Sequence, residues 1–303
     1  MKLTGAQIVF ECLRREGVRD VFGYPGGSNL PLYDTFIQYP DIRHILVRHE
    51  QAAAHAADSY ARVHEDVGVC FATSGPGATN LVTGIANAFM DSVPVVCITG
   101  SVVTSLIGRD GFQEADITGI TLPVTKHNTL VLKAAEIAPA LKEAFHIART
   151  GRPGPVLVDI PRDVQQEVVE FEYPETVELR GYKLPAPPDA HLVQRAAALI
   201  NESQKPLILA GHGVIISKAY DELRYLAETA EIPVVTTLLG ISGFPGSHEL
   251  SMGMPGMHGM YWNNMAISDA DLLIACGMRF DDRVTGRLKD FAPNAKILHI
   301  DID

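Results

Sequence analysis

The chain has few cysteines, and none is placed for chemistry. Among 303 residues only Cys12, Cys70, Cys97 and Cys276 occur, and no two are spaced as C-x-x-C. That excludes a finger-type zinc site and a dithiol redox motif. Three of the four fall in apolar, strand-like runs, where a free thiol behaves as a small hydrophobe. The pattern reads as reduced and cytoplasmic. No block of lysine or arginine interrupts an acidic balance: Lys+Arg number 25 against 36 Asp+Glu, a net charge of -11. A surface for nucleic acid or anionic membrane is excluded on that ground. No apolar run approaches the roughly 18 residues of a membrane span. The opening MKLTGAQIVFECLRREG reads as an amphipathic helix rather than a secretory signal. The P-loop lysine and a complete G-x-G-x-x-G are both missing. HEQAAAH looks like a zinc-protease helix, but His49 and His55 are six apart, not four, and so face different ways. NES at 201–203 fits a glycosylation acceptor and means little in a cytoplasmic chain.

What is present is an ordinary globular balance, 47% hydrophobic and 20% charged, at a length suggesting about two domains. Short apolar runs alternate with helical periods. DVFGY, HILV, GVCFAT, VPVVCIT and GPVLVDI read as strands, and residues 4–16, 51–63, 78–90 and 134–149 as helices. Such alternation predicts an α/β fold with a parallel sheet covered by helices on both faces, which also explains strands that are continuously apolar. The pattern stops near Asp163. Residues 171–189, FEYPETVELRGYKLPAPPD, are proline-rich and polar and read as a linker or as a segment draped over the surface. A second series then runs through helices at 190–202 and 218–230 and the strands PLILAG, PVVTT, LLIACG and KILHIDI. The expectation is two doubly wound α/β domains, 1–170 and 190–303. The last strand has no helix after it, so the sequence is expected to be a fragment.

Several junctions carry polar or small residues suited to a site. In RHEQAAAHAADSYAR, residues 48–62, Glu50 stands where a strand meets an alanine-rich helix. A carboxylate in a first helical turn also suits the helix dipole with no chemistry implied. VFGYPGGSNLPLYD offers Gly26 and Gly27 in a turn, either for tight folding or for close approach of a ligand. In ATSGPGATN, Ser74, Gly75 and Gly77 open a helix, a geometry that suits anions. GRDGFQE could place Phe112 as an apolar wall beside the Gln113 amide, and TKHN puts Lys126 in a similar position. GRPGPVLVDIPRDV brackets a buried strand with Arg152 and Arg162, a residue type that reads anionic groups. In the second half, LAGHGV is a strand followed by Gly211-x-Gly213, half of a dinucleotide turn; a nicotinamide-dependent dehydrogenase would need the rest. GMPGMHGMYWNN and CGMRFDDRVTG complete the set, at strand or loop ends where open α/β sheets bind ligands.

Together, in order and at family-like spacing, GYPGG, RHEQAAAHAADSYAR, SGPGATN, FQE, TKHN, RPGPVLVDIP, MGMPGMHG and GMRFDDRVTG resemble the acetolactate synthase large catalytic subunits, which are thiamine-diphosphate enzymes. The resemblance implies a pyrimidine-binding domain followed by a Rossmann-like FAD-binding central domain, here truncated. It implies that pyruvate is decarboxylated and joined to a second 2-keto acid, in branched-chain amino acid biosynthesis. Glu50 would hydrogen-bond the aminopyrimidine ring, so that the exocyclic amine becomes a base over the thiazolium carbon; the alanines after it would let the ring lie close. Gly26, Gly27, Ser74 and Asn80 would contact that cofactor. Gln113 and Lys126 are the further catalytic candidates, and Phe112 and Arg162 would border the substrate channel with them. For FAD, in a largely structural role, the candidates are Arg152, Gly211, Gly213, Thr236, Met257, His258, Gly277, Arg279, Asp281, Arg283, Asp301 and Ile302. Gly111 departs from the alanine expected in that loop. Mg²⁺ would be held by a Gly-Asp-Gly segment that occurs nowhere in these residues, so no metal ligand is assigned and residues 1–303 alone are expected to be inactive. The partners implied are a second copy of the chain and a small regulatory subunit. Pyruvate oxidase, sulfoacetaldehyde acetyltransferase and oxalyl-CoA decarboxylase share the first two domains; glyoxylate carboligase is disfavoured because it lacks this glutamate. A non-catalytic FAD-binding module is the alternative from another class.

Overall fold

A computed structural model describes all residues, Met1–Asp303, as two compact units, Met1–Leu184 and Pro185–Asp303. No helix is long and apolar enough to cross a membrane.

The first unit opens with β1 (Lys2–Thr4) and α1 (Gly5–Arg15), whose start is fixed by a reciprocal cap between Thr4 and Gln7. Then come β2 (Asp20–Gly23), α2 (Leu30–Thr35), β3 (Arg43–Leu46), α3 (Glu50–His64) and β4 (Gly68–Ala72). The helix expected over 78–90 is two pieces, α4 (Pro76–Asn80) and α5 (Val82–Asp91), separated at Leu81. β5 (Val95–Ser101), α6 (Ile117–Thr121), β6 (His127–Leu130), α7 (Ile137–Arg149), β7 (Val156–Pro161), α8 (Arg162–Gln166) and β8 (Val168–Glu170) follow. Six strands form one parallel sheet in the order β3-β2-β4-β5-β7-β6. β4, β5 and β7 are buried along their whole length, as continuous apolar runs between two helical layers should be. β1 and β8 pair antiparallel in a separate ribbon that the alternation of runs did not announce. β6, within the stretch read as the TKHN loop, was likewise unannounced: HNTL is too polar to read as a strand, and it sits at a sheet edge.

The chain reverses direction twice along the sheet, between β2 and β4 and again at the far edge, where it steps from β6 back to β7. From β2 the chain moves outward to β3, then crosses back to β4 and onward in the other direction. The loops after β2 and β4 therefore diverge and leave a crevice at the carboxyl edge of the sheet, where open α/β folds bind ligands.

Residues 171–184 do not act as a free linker; they belong to the first unit. Tyr173 hydrogen-bonds Glu16, the Arg15 guanidinium lies over the Phe171 and Tyr173 rings, and Tyr182 bonds Thr150. Aromatic residues hidden among the prolines dock this segment.

The second unit contains α9 (Ala190–Glu202), β9 (Pro206–Ala210), α10 (His212–Ile216), α11 (Tyr220–Ala230), β10 (Val234–Thr236), β11 (Ser251–Gly253), α12 (Tyr261–Asp269), β12 (Leu272–Cys276), α13 (Asp282–Thr285) and β13 (Lys296–Ile300). Its five strands are parallel in the order β11-β10-β9-β12-β13. The chain again reverses direction, between β9 and β12, and opens a second crevice at the carboxyl edge.

Candidate functional site

Glu50 is the first residue of α3, at the carboxyl edge of the first sheet. Extended His49 caps the helix, its ring Nδ1 accepting from the Gln51 amide at 3.1 Å, so the carboxylate enters the first turn where the helix dipole favours it. The side chain is buried, the residue only 8% exposed. Asn80, the last residue of α4, donates from Nδ2 to Glu50 Oε2 at 2.9 Å. Oε1 receives no donor from the chain and faces Gly77, where an added Cβ would come within 3.2 Å of it. A buried carboxylate with one satisfied and one open oxygen can bind, or give a proton to, a ligand atom that reaches it.

Most of the alanines after Glu50 in α3 serve packing. Ala53, Ala54, Ala57 and Ala61 are at most 2% exposed and face protein. A Cβ on Gly68 would lie 2.0 Å from the Ala57 carbonyl, and one on Gly84 would lie 2.4 Å from the Ala54 methyl. The alanine stripe lets α3 sit tightly on β4 and α5. Ala52, in the same first turn as Glu50, is exposed instead.

Two loops frame the crevice. In the turn after β2, the Gly26 amide donates to Asn29 Oδ1 at 2.7 Å and Asn29 Nδ2 donates to the Tyr24 carbonyl. Thr73, after β4, packs where a Cβ of Gly26 would be, at 2.5 Å, and its hydroxyl accepts from the Ser28 amide at 3.1 Å. Ser74 is buried, its hydroxyl 2.8 Å from that of Ser28. Gly26 is thus required by packing, whereas a Cβ on Gly27 would meet nothing within 4 Å. Gly27 is the open point of the turn.

Gln113 closes over the second loop. Gly75, at φ +58, lies against the Gln113 backbone, whose carbonyl would be 2.6 Å from an added Cβ. Gln113 itself adopts φ 59, a conformation unusual for a side-chain-bearing residue. Glu114 holds the 108–114 loop in shape by accepting from the Gly108 and Gly111 amides, and those bonds hold its carboxyl below the usual range. Phe112 is then presented outward, 88% exposed. Arg162 opens α8 at the same edge and is exposed.

Lys126 is not at this edge. It precedes β6, at the amino end of the sheet, and strands of about five residues separate the two edges by roughly 15 Å. Its Nζ donates to the Ile147 and Thr150 carbonyls and to the Tyr182 hydroxyl, capping the end of α7. Burial pushes its pKa down to about 8. The expectation that it borders a substrate channel with Gln113 is therefore corrected: one polar side chain on a loop does not reveal which end of a strand it occupies. Arg152 also lies at the amino end, before β7, with Nε donating to Ser92 at 2.8 Å.

Sequence reasoning missed three residues here. Asp159 lies within β7, 4% exposed, its carboxylate accepting from Thr99 at 2.6 Å; burial pushes its pKa up to about 6. A charged residue in the otherwise apolar VLVDI was the signal. Gln165 carried none, because it acts on the Ser28 carbonyl, distant in sequence, and Glu114 carried none, because a polar loop does not show which side chain holds its backbone.

The second unit gathers most of the other candidates at its carboxyl edge. Gly211 and Gly213 follow β9 and Gly277 follows β12; added Cβ atoms on the first two would come within 2.3 and 2.5 Å of Gly277 backbone. These glycines are demanded by one another. Thr236 ends β10 and lines a cleft of about 800 Å³ with Tyr220, Asp221, Arg224 and Phe244. A smaller cleft of about 250 Å³ is lined by Met257 and Arg283; Arg283 Nη1 approaches the Met257 sulfur at 3.6 Å, and Met257 and His258 are exposed. Asp281 is occupied as the cap of α13, accepting from the Arg283 and Val284 amides. Arg279 is exposed, and Asp301 and Ile302 end the chain's last strand on the surface. No group of three or more histidine, cysteine or carboxylate side chains could hold a metal ion.

Residues 3–120 match the family model described as thiamine pyrophosphate enzyme, N-terminal TPP binding domain, and residues 193–303 match thiamine pyrophosphate enzyme, central domain. The chain is 56% identical over 302 residues to the acetolactate synthase large subunit of Corynebacterium glutamicum, covering 100% of this chain and 48% of that protein. It is equally similar to an acetolactate synthase large subunit of Mycobacterium tuberculosis, 56% over 302 residues, with 49% of that protein covered. A probable acetolactate synthase large subunit of Methanocaldococcus jannaschii is 54% identical over 304 residues, with 99% and 51% covered. The chain thus spans about half the length of the curated relatives it matches. Two family models in the right order, together spanning most of the chain, place it: it belongs to the thiamine pyrophosphate enzymes and carries their N-terminal TPP binding domain and central domain.

Proposed function

We propose that this chain supplies the pyrimidine-binding half-site and the central domain of an acetolactate synthase. The reaction would be decarboxylation of pyruvate and its condensation with a second 2-keto acid, in branched-chain amino acid biosynthesis. The observation that carries the reading is the Glu50 carboxylate: buried, at the switch-point crevice, bonded on one oxygen by Asn80 and open on the other beside Gly77. Thiamine diphosphate, when bound, would supply the carbanion chemistry.

The residues present suit its pyrimidine end. Glu50 would hold a proton at a ring nitrogen of the bound cofactor, with Asn80 fixing which oxygen is free to do so. Gly77 and Gly27 would admit the ring. Gln113, Phe112 and Arg162 would line the approach of the 2-keto acids, Arg162 through their carboxylates. The second crevice, with Thr236, Gly277 and Arg279 at its rim, would hold FAD, joined by Met257, His258, Arg283, Asp301 and Ile302; Arg152 is kept as the candidate from the first unit. Mg²⁺ would be held by residues outside this chain. A homodimer, a small regulatory subunit and a cytoplasmic location complete the proposal.

The test is acetolactate formation from pyruvate by the full-length protein, stripped of cofactors and reloaded with thiamine diphosphate and Mg²⁺. Acetolactate that appears only on reloading is the expected result. Pyruvate consumption without acetolactate would point to a pyruvate oxidase-type activity and overturn the carboligase reading.

A further inference from the structure

The short helix α8 stands where two framing loops converge, and its side chains are spent on them. Gln165 is fully buried. Its Nε2 donates to the Ser28 carbonyl at 2.8 Å and to the Ile160 carbonyl at 2.7 Å. Two residues earlier, the Asp163 carboxylate accepts from the amide of Thr104, at 3.0 and 3.2 Å, and from its hydroxyl. One helical turn therefore grips the loop after β2 through Gln165 and the loop after β5 through Asp163.

Ser28 is the point where this grip meets the crevice. Its carbonyl rests over Gly100, where an added Cβ would come within 2.3 Å. Its amide and hydroxyl are taken by Thr73 and Ser74. The Thr73 methyl lies 2.7 Å from a Cβ position on Gly77, and that position is 3.2 Å from Glu50 Oε1. A series of hydrogen bonds thus runs from Gln165 through Ser28 to Thr73 and Ser74, and the space left by the missing side chain of Gly77 lies between Thr73 and the open carboxylate oxygen. Gln165 touches none of the open space itself.

We propose that Gln165 is a positioning residue: through Ser28 it sets how deeply the 24–29 turn sits against the 73–77 loop, and so the spacing between Gly27 and the Glu50 carboxylate. The inference rests on the reading of this crevice as the pyrimidine half-site. A donor is needed, because the Ile160 carbonyl is buried and the Ser28 carbonyl partly so, and an unpaired one is costly. An amide is suited to it, because its NH₂ can serve both at once.

The experiment uses the full-length protein and two variants. Gln165→Met keeps the volume and removes both donors. Gln165→Glu places a carboxyl between two carbonyls, where only its protonated form donates, and to one of them; lack of a cation and burial both favour that form. Thiamine diphosphate with Mg²⁺ is titrated into the stripped proteins by calorimetry, and amide hydrogen exchange is followed in peptides covering 24–29, 73–77 and 206–236. Gln165→Met is expected to weaken binding about tenfold and to speed exchange in 24–29 while leaving 206–236 unchanged. Gln165→Glu is expected to bind between the two, and to lose that rescue as pH rises and its carboxyl ionises. Wild-type affinity with unchanged exchange at 24–29 would overturn the proposal. So would exchange that quickens uniformly across the first unit in both variants, which would make Gln165 a general core hydrogen bond. If the wild-type protein binds no thiamine diphosphate, the half-site reading fails, and exchange at 24–29 still decides whether Gln165 sets the turn.

Discussion

The two units solve the same geometric problem with different materials. Each has a parallel sheet whose chain reverses direction between two inner strands, β2 and β4 or β9 and β12, and each opens a crevice there at the carboxyl edge. In the first, the loops on either side are tied by side chains, Thr73 and Ser74 to Ser28, and a buried carboxylate looks in from α3. In the second, Gly211 and Gly213 lie directly on the Gly277 backbone, and the charged residues nearby are exposed or already engaged in caps. A crevice held by side chains can place one ionisable group with care. A crevice made of glycine backbone offers shape and amide groups along an extended ligand. On the proposed function, proton chemistry would belong to the first and passive binding to the second.

The strongest way to break that contrast is Glu50→Gln. Glutamine keeps the volume and can still accept from Asn80, so the change removes the charge and the proton and little else. Activity of the full-length enzyme should fall by about 10²–10⁴-fold, with thermal stability nearly unchanged. Full activity in a well-folded variant would remove Glu50 from the chemistry. No single charged residue of the second crevice should give a comparable loss.

Next in size is a paired glycine experiment. Gly277 has φ +57 and backbone within 2.5 Å of an added Cβ, so Gly277→Ala should destabilise the second unit by roughly 2–4 kcal/mol and weaken flavin retention. Gly27→Ala meets nothing within 4 Å and should leave stability within about 0.5 kcal/mol; any effect should appear in cofactor affinity. Thermal unfolding of both variants, followed by flavin and thiamine diphosphate titration, separates a glycine needed by the fold from one left open to a ligand. Equal destabilisation by the two would erase the distinction.

These residues also show what could be read from sequence. The α/β alternation, the apolar central strands and the junction position of Glu50 were legible, because periodicity and local capping are local properties. Which glycine serves packing and which faces a ligand was not, since Gly26 answers to Thr73, 47 residues away, and Gly211 to Gly277. That Ala53, Ala54, Ala57 and Ala61 of α3 pack on β4 and α5 was not legible either, because those contacts are long-range. Lys126 was misplaced for the same reason: TKHN fixes a local conformation, not an end of the sheet.

Lys126→Met tests that correction and carries a smaller effect. It leaves the carbonyl of Ile147 without its donor, while that of Thr150 keeps the Tyr182 hydroxyl, and should cost roughly 1–3 kcal/mol. A pH dependence should vanish with it. The folded pKa is about 8 against an ordinary 10.5, so between those values the unfolded chain holds a proton the folded one has released. This lysine's contribution to stability therefore rises with pH across that window and is least favourable below it. The difference between wild type and Lys126→Met should follow that rise in denaturant titrations, while activity per folded molecule stays level. A specific rise in the KM for pyruvate would return Lys126 to the substrate path.

The smallest expected effect lies in the loop over the first crevice. Gly111 stands where alanine was expected, and its surroundings do not require glycine: φ is not positive, and an added Cβ would meet only Glu114 at 3.6 Å and Leu106 at 3.7 Å, both ordinary contacts. The Gly111 amide already donates to Glu114, and a methyl group does not disturb that bond. Alanine narrows the unfolded chain's freedom without straining the folded one, so Gly111→Ala should raise stability by about 0.4–1 kcal/mol. The neighbouring positions differ in kind. Gly108 has φ +77, and alanine there should destabilise instead. Thermal melts of the two variants give opposite signs if the loop is held as described, with the Glu114 carboxylate fixing a backbone that bends at Gly108 and not at Gly111. Two losses would mean that the loop over the first crevice is shaped by something other than this carboxylate, and that its side-chain ties extend less far than those between Ser28 and the 73–77 loop.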